Sequence, residues 1–145
     1  MDGAGPTVSL VRQIGGTLTS VAETAAEAEE FCAAAGADKG QCLRIGLALD
    51  ELAANALVHG AVNEQAPDIQ AEIWVDQTCL HLRVSARGPR FDPRQFRMDA
   101  DAEQYSMGGR GLALVIAFAD ELVYAREDGR NVTTFSVTKQ GEEDG

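Results

Sequence analysis

The segment Lys39–Gly60, KGQCLRIGLALDELAANALVHG, decides the fold, because it is apolar on nearly every side and long enough for about six helical turns. Its polar residues Glu51, Asn55 and His59 stand four positions apart, so a helix would place them on one stripe. Burying such groups costs about 1–3 kcal/mol each unless they are hydrogen-bonded. The stripe therefore indicates either hydrogen bonds to a neighbouring loop or a functional site.

Length and charge limit the class of protein. The chain has 145 residues, which suits one domain, 1–145, with a single core over about residues 8–139. Its formal net charge of −11 at pH 7 argues against DNA or RNA partners, because binding to phosphate backbones relies on clustered Lys and Arg. A basic protein, or a ligand whose phosphates arrive with Mg²⁺, is compatible with this charge.

Cysteine usage and hydropathy predict the compartment. Cys32, Cys42 and Cys79 are scattered and show no C-x-x-C or Cys/His ligand spacing, so we expect free thiols in a reducing cytosol. The N-terminus lacks the regions of a signal peptide, and the longest apolar run, Leu112–Ala119, is too short to cross a bilayer. These features predict a soluble, cytoplasmic protein without a membrane partner.

Periodicity and capping residues predict the other elements. They are a strand at Val8–Ile14, a helix at Val21–Ala35 after an N-cap at Thr19 or Ser20, a hairpin of Ile69–Val75 and Leu80–Ala86, a loop at Arg87–Met107, a helix from Gly109 or Arg110 to Ala119, and a hairpin of Glu121–Arg126 and Asn131–Lys139. This set predicts an α+β fold, a two-layer sandwich with a mixed, mainly antiparallel sheet and three helices on one face. A loop of about 20 residues is uncommon unless it is functional, so it is a candidate lid.

A glycine-rich segment, Gly108-Gly109-Arg110-Gly111-Leu112, stands where the long loop becomes a helix. Glycines allow close backbone approach and positive φ, and the N–H groups and dipole of a helix start attract anions. The segment predicts either a tight turn or a phosphate site. Because neither a G-x-x-x-x-G-K-[ST] loop nor the eukaryotic-type kinase signatures occur, a nucleotide site would be of another kind.

The order of these motifs resembles that of the histidine-kinase-like GHKL ATPases. It comprises E-x-x-x-N at Glu51 and Asn55, G-P-x-F-D-P at Gly88 to Pro93, G-G-R-G-L-x-L-V at Gly108 to Val115, and a D-G-R-N-V hairpin. Within that superfamily the likeness is to the small bacterial anti-sigma factor serine kinases of the RsbW and SpoIIAB type. The resemblance covers the chain from about Val8 to Lys139.

The resemblance implies a Mg-ATP site and a role for each matching residue. Glu51 corresponds to the acidic residue that orients or deprotonates the nucleophile, a serine hydroxyl of a protein substrate, and Asn55 to the amide that ligates Mg²⁺. The implied cofactor-binding set is Asn55, Gly88, Gly108, Gly109, Arg110, Gly111 and Leu112. The loop Arg87–Met107 corresponds to the ATP lid. The implied partners are a sigma factor, an anti-anti-sigma antagonist and, through the first strand, a second copy of the chain.

One position departs from the family pattern. The first glycine box of the family reads D-x-G-x-G or D-x-G-P-P, and its aspartate accepts a hydrogen bond from the adenine amino group, whereas Ala86 stands there in this chain. Loss of that acceptor would cost about 1–3 kcal/mol, or roughly ten- to more than hundredfold in affinity. Ser85 is a poor substitute because strand alternation directs it to the opposite face.

Two functions stay open. Glu51 and Asn55 favour an ATP-dependent protein-serine kinase, because a pure binding module would gain stability by replacing buried polar groups. Ala86 favours a non-catalytic or weakly nucleotide-binding interaction module on the same scaffold. A metalloenzyme using His59 is a weaker reading, because a histidine at a helix end is expected to make a packing or capping contact. His81 is expected to face solvent, as is a group of carboxylates on the first helix, Glu23, Glu27, Glu29 and Glu30.

Overall fold

The computed structural model describes residues 8–60, 68–97 and 109–139. Their elements are β1 (Val8–Ile14), α1 (Leu18–Ala34), α2 (Lys39–Gly60), β2 (Ile69–Val75), β3 (Cys79–Arg87), a 3-10 turn (Pro93–Gln95), α3 (Arg110–Phe118), β4 (Glu121–Glu127) and β5 (Arg130–Thr138). Gly108, residues 98–107 of the predicted lid, the polar loop 61–67 and the acidic tail 140–145 lie outside the described residues.

The five strands form one sheet in the order β1-β2-β3-β5-β4, and each of the four pairings is antiparallel. Burial alternates along β2 and β3, and the inward side chains join those of the helices in one core. Polar residues such as Glu72 and Arg83 lie on the other, open face. The predicted α+β sandwich is thereby confirmed, with a sheet that is antiparallel throughout the described strands.

The central helix α2 begins with a reciprocal capping box. The backbone N–H of Gln41 donates to Asp38 Oδ1 at 2.7 Å, and the backbone N–H of Asp38 donates to Gln41 Oε1 at 2.9 Å. The helix packs against α1 and α3 as well as β3 and β5. Because it has neighbours on most sides, the polar stripe that begins at Glu51 is carried into the interior rather than to the surface.

Two local expectations for α1 are wrong. The helix begins at Leu18, and its N-cap is Thr17, whose Oγ1 accepts the backbone N–H of Ser20 at 3.1 Å. Thr17 has the extended backbone that capping requires, so Thr19 and Ser20 already lie within the first turn. Glu29 is half-buried instead of solvated, because its carboxylate lies over Gly46 of α2, where a side chain would otherwise stand.

An ion-pair network closes one end of the sheet. Asp68, just before β2, accepts hydrogen bonds from Arg130 Nη1 of β5 at 2.8 Å, Gln13 Nε2 of β1 at 2.7 Å and Arg87 Nη2 of β3 at 2.9 Å. These donors lower the pKa of Asp68 from its ordinary 3.8 to about 2. The network therefore joins four chain segments through one carboxylate.

Asp68→Asn is expected to destabilise the fold in a pH-dependent manner. Because the pKa of Asp68 is lowered on folding, its stabilising contribution is complete above about pH 4 and is lost as the pH falls toward 2. We expect the variant to lose about 1 kcal/mol at pH 7, an effect limited by the partial exposure of the side chain. Urea unfolding at pH 7 and near pH 2 measures this difference, with Glu23→Gln on α1 as the control. A difference that is the same at both pH values would contradict the assignment.

Candidate functional site

The polar stripe of α2 meets the first turn of α3. Glu51 is only 6% exposed and Asn55 is fully buried one turn later. Gly111 of α3 approaches so closely that a Cβ at this position would overlap the Glu51 carboxylate. Two motifs 60 residues apart in sequence thus form one site, with a carboxylate against a glycine backbone.

The start of α3 presents backbone N–H groups at this site. Its N-cap, Gly109, has the left-handed φ of 81° and, being a glycine, offers no capping side chain of its own. The N–H groups of Gly109 to Leu112 therefore have no partner within the helix, and the helix dipole adds positive potential there. Arg110 is exposed, whereas Leu112 is fully buried in the core, so only the backbone of Leu112 is available to a ligand.

A cavity of about 30 Å³ lies at the C-terminal end of the α2 stripe, where His59 lines it. It is lined by α2, by the end of β3 with the segment that follows, and by β5, through Leu52, Ala56, His59, Val84, Ala86, Arg87, Gly88, Pro89, Phe91, Asn131 and Thr133. Ala86 faces inward and is nearly buried. Ser85 lies on the open face, where its Oγ accepts Arg130 Nε at 2.6 Å, which confirms that it cannot replace an acceptor at position 86.

Two aromatic rings close this cavity. His59 and Phe91 stack with centroids 4.8 Å apart and planes 15° apart. His59 therefore makes the packing contact expected for it. A volume of about 30 Å³ holds a water molecule or two, so a purine would have to displace this stack. Phe91 was not among the predicted site residues, although its place three residues after Gly88 in the G-P-x-F-D-P motif was a usable signal.

Asn131 of β5 holds the segment that follows β3. Its Oδ1 accepts the backbone N–H of Phe91 at 2.9 Å, and its Nδ2 donates to the carbonyl of Pro89 at 2.8 Å. Arg126 of β4 donates to the carbonyl of Gly88 at 2.6 Å, and Gly88 itself has a φ of 150°. The wall of the cavity is therefore set by the β4–β5 hairpin, and Asn131 is a positioning residue that the motif analysis did not assign.

The part of the predicted lid that the structure describes, up to Arg97, is packed against the domain. Asp92 and Pro93 are buried, and Asp92 caps the 3-10 turn by accepting the backbone N–H of Arg94 at 3.0 Å. The guanidinium of Arg94 also binds Asp92 at 2.8 Å, and it is the main cause of the lowered pKa of Asp92. The lid at Arg87–Met107 stays a prediction, and its residues 98–107 lie outside the described ranges.

Comparison with known proteins identifies the family of this chain. The profile of the histidine kinase-like ATPase domain matches residues 14–137. The chain belongs to the histidine kinase-like ATPase family. Its fold is similar to a crystal structure of the RsbU and RsbW domains of Rv1364c from Mycobacterium tuberculosis, with a TM-score of 0.66 and 21% identity. That match covers 91% of this chain and 32% of the other, so this chain spans about a third of its length. No curated protein sequence matches.

The family predicted from the motifs is thereby confirmed. Among the helices of the described residues, none combines the length and hydropathy that crossing a membrane requires. A family of this kind implies nucleotide binding, usually with Mg²⁺.

The residues at the α2–α3 junction fit the phosphate end of such a nucleotide. A Cβ at position 111 would overlap the Glu51 carboxylate, so the close approach of the two segments requires a glycine. An amide oxygen such as that of Asn55 is a kind of ligand that Mg²⁺ accepts. The part of the site where the family binds adenine departs from the family pattern. The nearly buried residue at the position of the hydrogen-bond acceptor is Ala86.

Proposed function

We propose that this histidine kinase-like ATPase domain is an ATP-dependent protein-serine kinase that acts as a cytoplasmic anti-sigma factor. It would bind a sigma factor, and it would phosphorylate an anti-anti-sigma antagonist in a partner-switching pathway. The observation that supports this most is the buried Glu51 carboxylate against the backbone of Gly111, at the start of a helix whose N-cap is a glycine. Carboxylates are seldom this buried, and the N–H groups and dipole of a helix start favour negative charge beside them, so a buried carboxylate next to an anion-binding backbone supports phosphoryl-transfer chemistry.

Each residue has one role in this proposal. Glu51 orients the serine hydroxyl of the antagonist and accepts its proton, a contribution of about 10²–10⁴-fold in rate for a general base. The Asn55 amide oxygen would hold Mg²⁺, and the backbone N–H groups of Gly109 and Gly111 would hold phosphate oxygens. Mg-ATP, when bound, supplies the phosphoryl group. β1, an edge strand of the sheet, is where a family-type homodimer would form.

A second candidate function is a protein-interaction module with little or no nucleotide turnover. It is favoured by Ala86, which offers no side-chain acceptor to adenine, and by the small cavity that His59 and Phe91 close. Titration calorimetry with Mg-ATP, followed by radiolabel transfer to a small antagonist protein, separates the two. The kinase is expected to bind saturably below millimolar nucleotide and to transfer label. No binding at millimolar Mg-ATP would leave the interaction module as the function.

Ala86→Asp is expected to tighten Mg-ATP binding by roughly ten- to hundredfold, because a carboxylate there would accept the adenine amino group. Mg-GTP should not gain, since guanine has a carbonyl oxygen where adenine has that amino group. Calorimetric titration of both nucleotides measures the selectivity. Ser85→Asp is the matched control, because the neighbouring side chain faces the opposite side of the sheet. Weaker ATP binding by a folded Ala86→Asp variant would show that the base does not bind beside residue 86.

A further inference from the structure

A group of three potential metal ligands stands at the β2–β3 turn, on the open face of the sheet. Asp76 follows β2, and Cys79 and His81 occupy alternate positions of β3, so their side chains share one face. The ligand atoms of the three residues lie within 4.8 Å of one another. The group combines a carboxylate oxygen, a thiol sulfur and an imidazole nitrogen, and none of the three lines the cavity beside Ala86.

Neighbouring groups already orient these ligands. Asp76 Oδ1 accepts the backbone N–H groups of Thr78 at 2.8 Å and Cys79 at 2.7 Å, while Oδ2 lies 2.8 Å from His81 Nε2. These contacts fix the Asp76 carboxylate beside the His81 ring.

The His81 ring is held in one orientation from two sides. Its Nδ1 lies 2.8 Å from Ser136 Oγ of β5, and the ring stacks on Trp74 with centroids 4.8 Å apart. His81 lies on the open face of the sheet, but its side chain is only 17% exposed because Trp74 covers the ring. The expectation that His81 faces solvent is therefore only partly correct. Without an ion, Nε2–H can donate to Asp76 Oδ2 while Nδ1 accepts from the Ser136 hydroxyl. A bound metal ion would take the place of the Nε2 proton, and Nδ1 would then donate to Ser136 Oγ. Such outer hydrogen bonds are typical of metal-binding histidines.

We propose that Asp76, Cys79 and His81 bind a divalent transition-metal ion of the zinc class. Mixed sulfur, nitrogen and oxygen ligands suit Zn²⁺ in four-coordinate geometry, with water as the fourth ligand, and they disfavour Mg²⁺ and Ca²⁺, which prefer oxygen alone. The thiol loses its proton on binding, as metal-bound cysteines do. This site is independent of the proposed kinase function.

The site would lie at the β2–β3 turn, which hydrogen bonds already join to the end of β5. Besides the contact between His81 and Ser136, the backbone N–H of Lys139 donates to the carbonyl of Thr78 at 2.7 Å, and its Nζ donates to the carbonyl of Asp76 at 3.3 Å. An ion on Asp76, Cys79 and His81 would add ligand bonds within the turn and β3. Because the ion would bind the folded chain in preference to the unfolded chain, it should raise the melting temperature.

The only tryptophan of the chain, Trp74, reports on the site because it stacks on His81. Zn²⁺ is titrated into the full chain with a non-thiol reductant, and Trp74 fluorescence and calorimetry are recorded. We expect one site with a dissociation constant on the order of micromolar or tighter. A hundredfold excess over that constant should raise the melting temperature by about 5–10 °C. Co²⁺ should give a thiolate charge-transfer band.

Substitutions test which residues bind the metal ion. Cys79→Ser and His81→Gln should each weaken Zn²⁺ binding at least about tenfold, and Cys79→Ser should abolish the Co²⁺ band. Ser136→Ala should weaken binding by about tenfold, the effect typical of an outer hydrogen-bond partner. Asp128→Asn at the other hairpin turn and Cys42→Ser in the core are the controls, and both should bind as the parent chain does. Equal binding by Cys79→Ser and the parent, or no saturable binding of Zn²⁺ by the parent below about 100 μM, would overturn the proposal.

Discussion

Glu51→Gln is expected to abolish phosphoryl transfer to the antagonist while leaving the affinity for Mg-ATP nearly unchanged. Glutamine keeps the size of the side chain beside Gly111 but cannot accept the serine proton. Loss of a general base lowers the rate by about 10²–10⁴-fold. Single-turnover radiolabel transfer measures the rate and calorimetry measures the affinity, so the chemical step is separated from binding.

Asp50→Asn provides the matched control for Glu51→Gln. Asp50 is the preceding residue of α2, but it lines a groove between α1 and α2 together with Ala22 and Leu47. Burial raises the pKa of Asp50, so its replacement tests whether any half-buried carboxylate of this helix affects transfer. We expect transfer at the parental rate. Turnover by Glu51→Gln equal to that of the parent would remove Glu51 from the mechanism.

Gly111→Ala is expected to weaken Mg-ATP binding by about tenfold or more and to destabilise the fold by about 1–3 kcal/mol. The added Cβ would overlap the carboxylate of Glu51, which is nearly buried and cannot turn into solvent. Either α3 or Glu51 must move, and both belong to the site. Urea unfolding gives the loss in stability, and calorimetric titration with Mg-ATP gives the loss in affinity.

Two other helical glycines serve as controls for Gly111→Ala. Gly40 is the second residue of α2, as Gly111 is of α3, and a Cβ there would make an ordinary 3.5 Å contact with Asp38 Oδ1. Gly40→Ala should be neutral or stabilising by up to about 1 kcal/mol. Gly46→Ala should cost little, because the half-exposed Glu29 can swing away. If Gly111→Ala changes stability and Mg-ATP affinity no more than Gly40→Ala does, the close approach of Gly111 to Glu51 is not needed for nucleotide binding.

Local signals predicted the elements well where a single stretch of chain contains the whole signal. β1 and α2 have the predicted bounds. The β4–β5 turn has positive φ at Asp128 and Gly129, 52° and 78°, which is the conformation that an Asp-Gly pair favours. The predicted N-cap of α1 was wrong because several Ser and Thr residues stand close together there. Only the backbone geometry shows that Thr17 is the cap.

The motifs determined the family, because their residues follow one another in a fixed order that can be read without coordinates, and the profile match over residues 14–137 confirms it. Distances between segments needed the tertiary structure. The approach of Gly111 to Glu51, the stack of His59 on Phe91 and the assembly of Asp76, Cys79 and His81 each depend on how separate elements pack or turn. Hydrophobic periodicity specifies which face of an element is buried, but the partner across that face is set by the packing of the whole core.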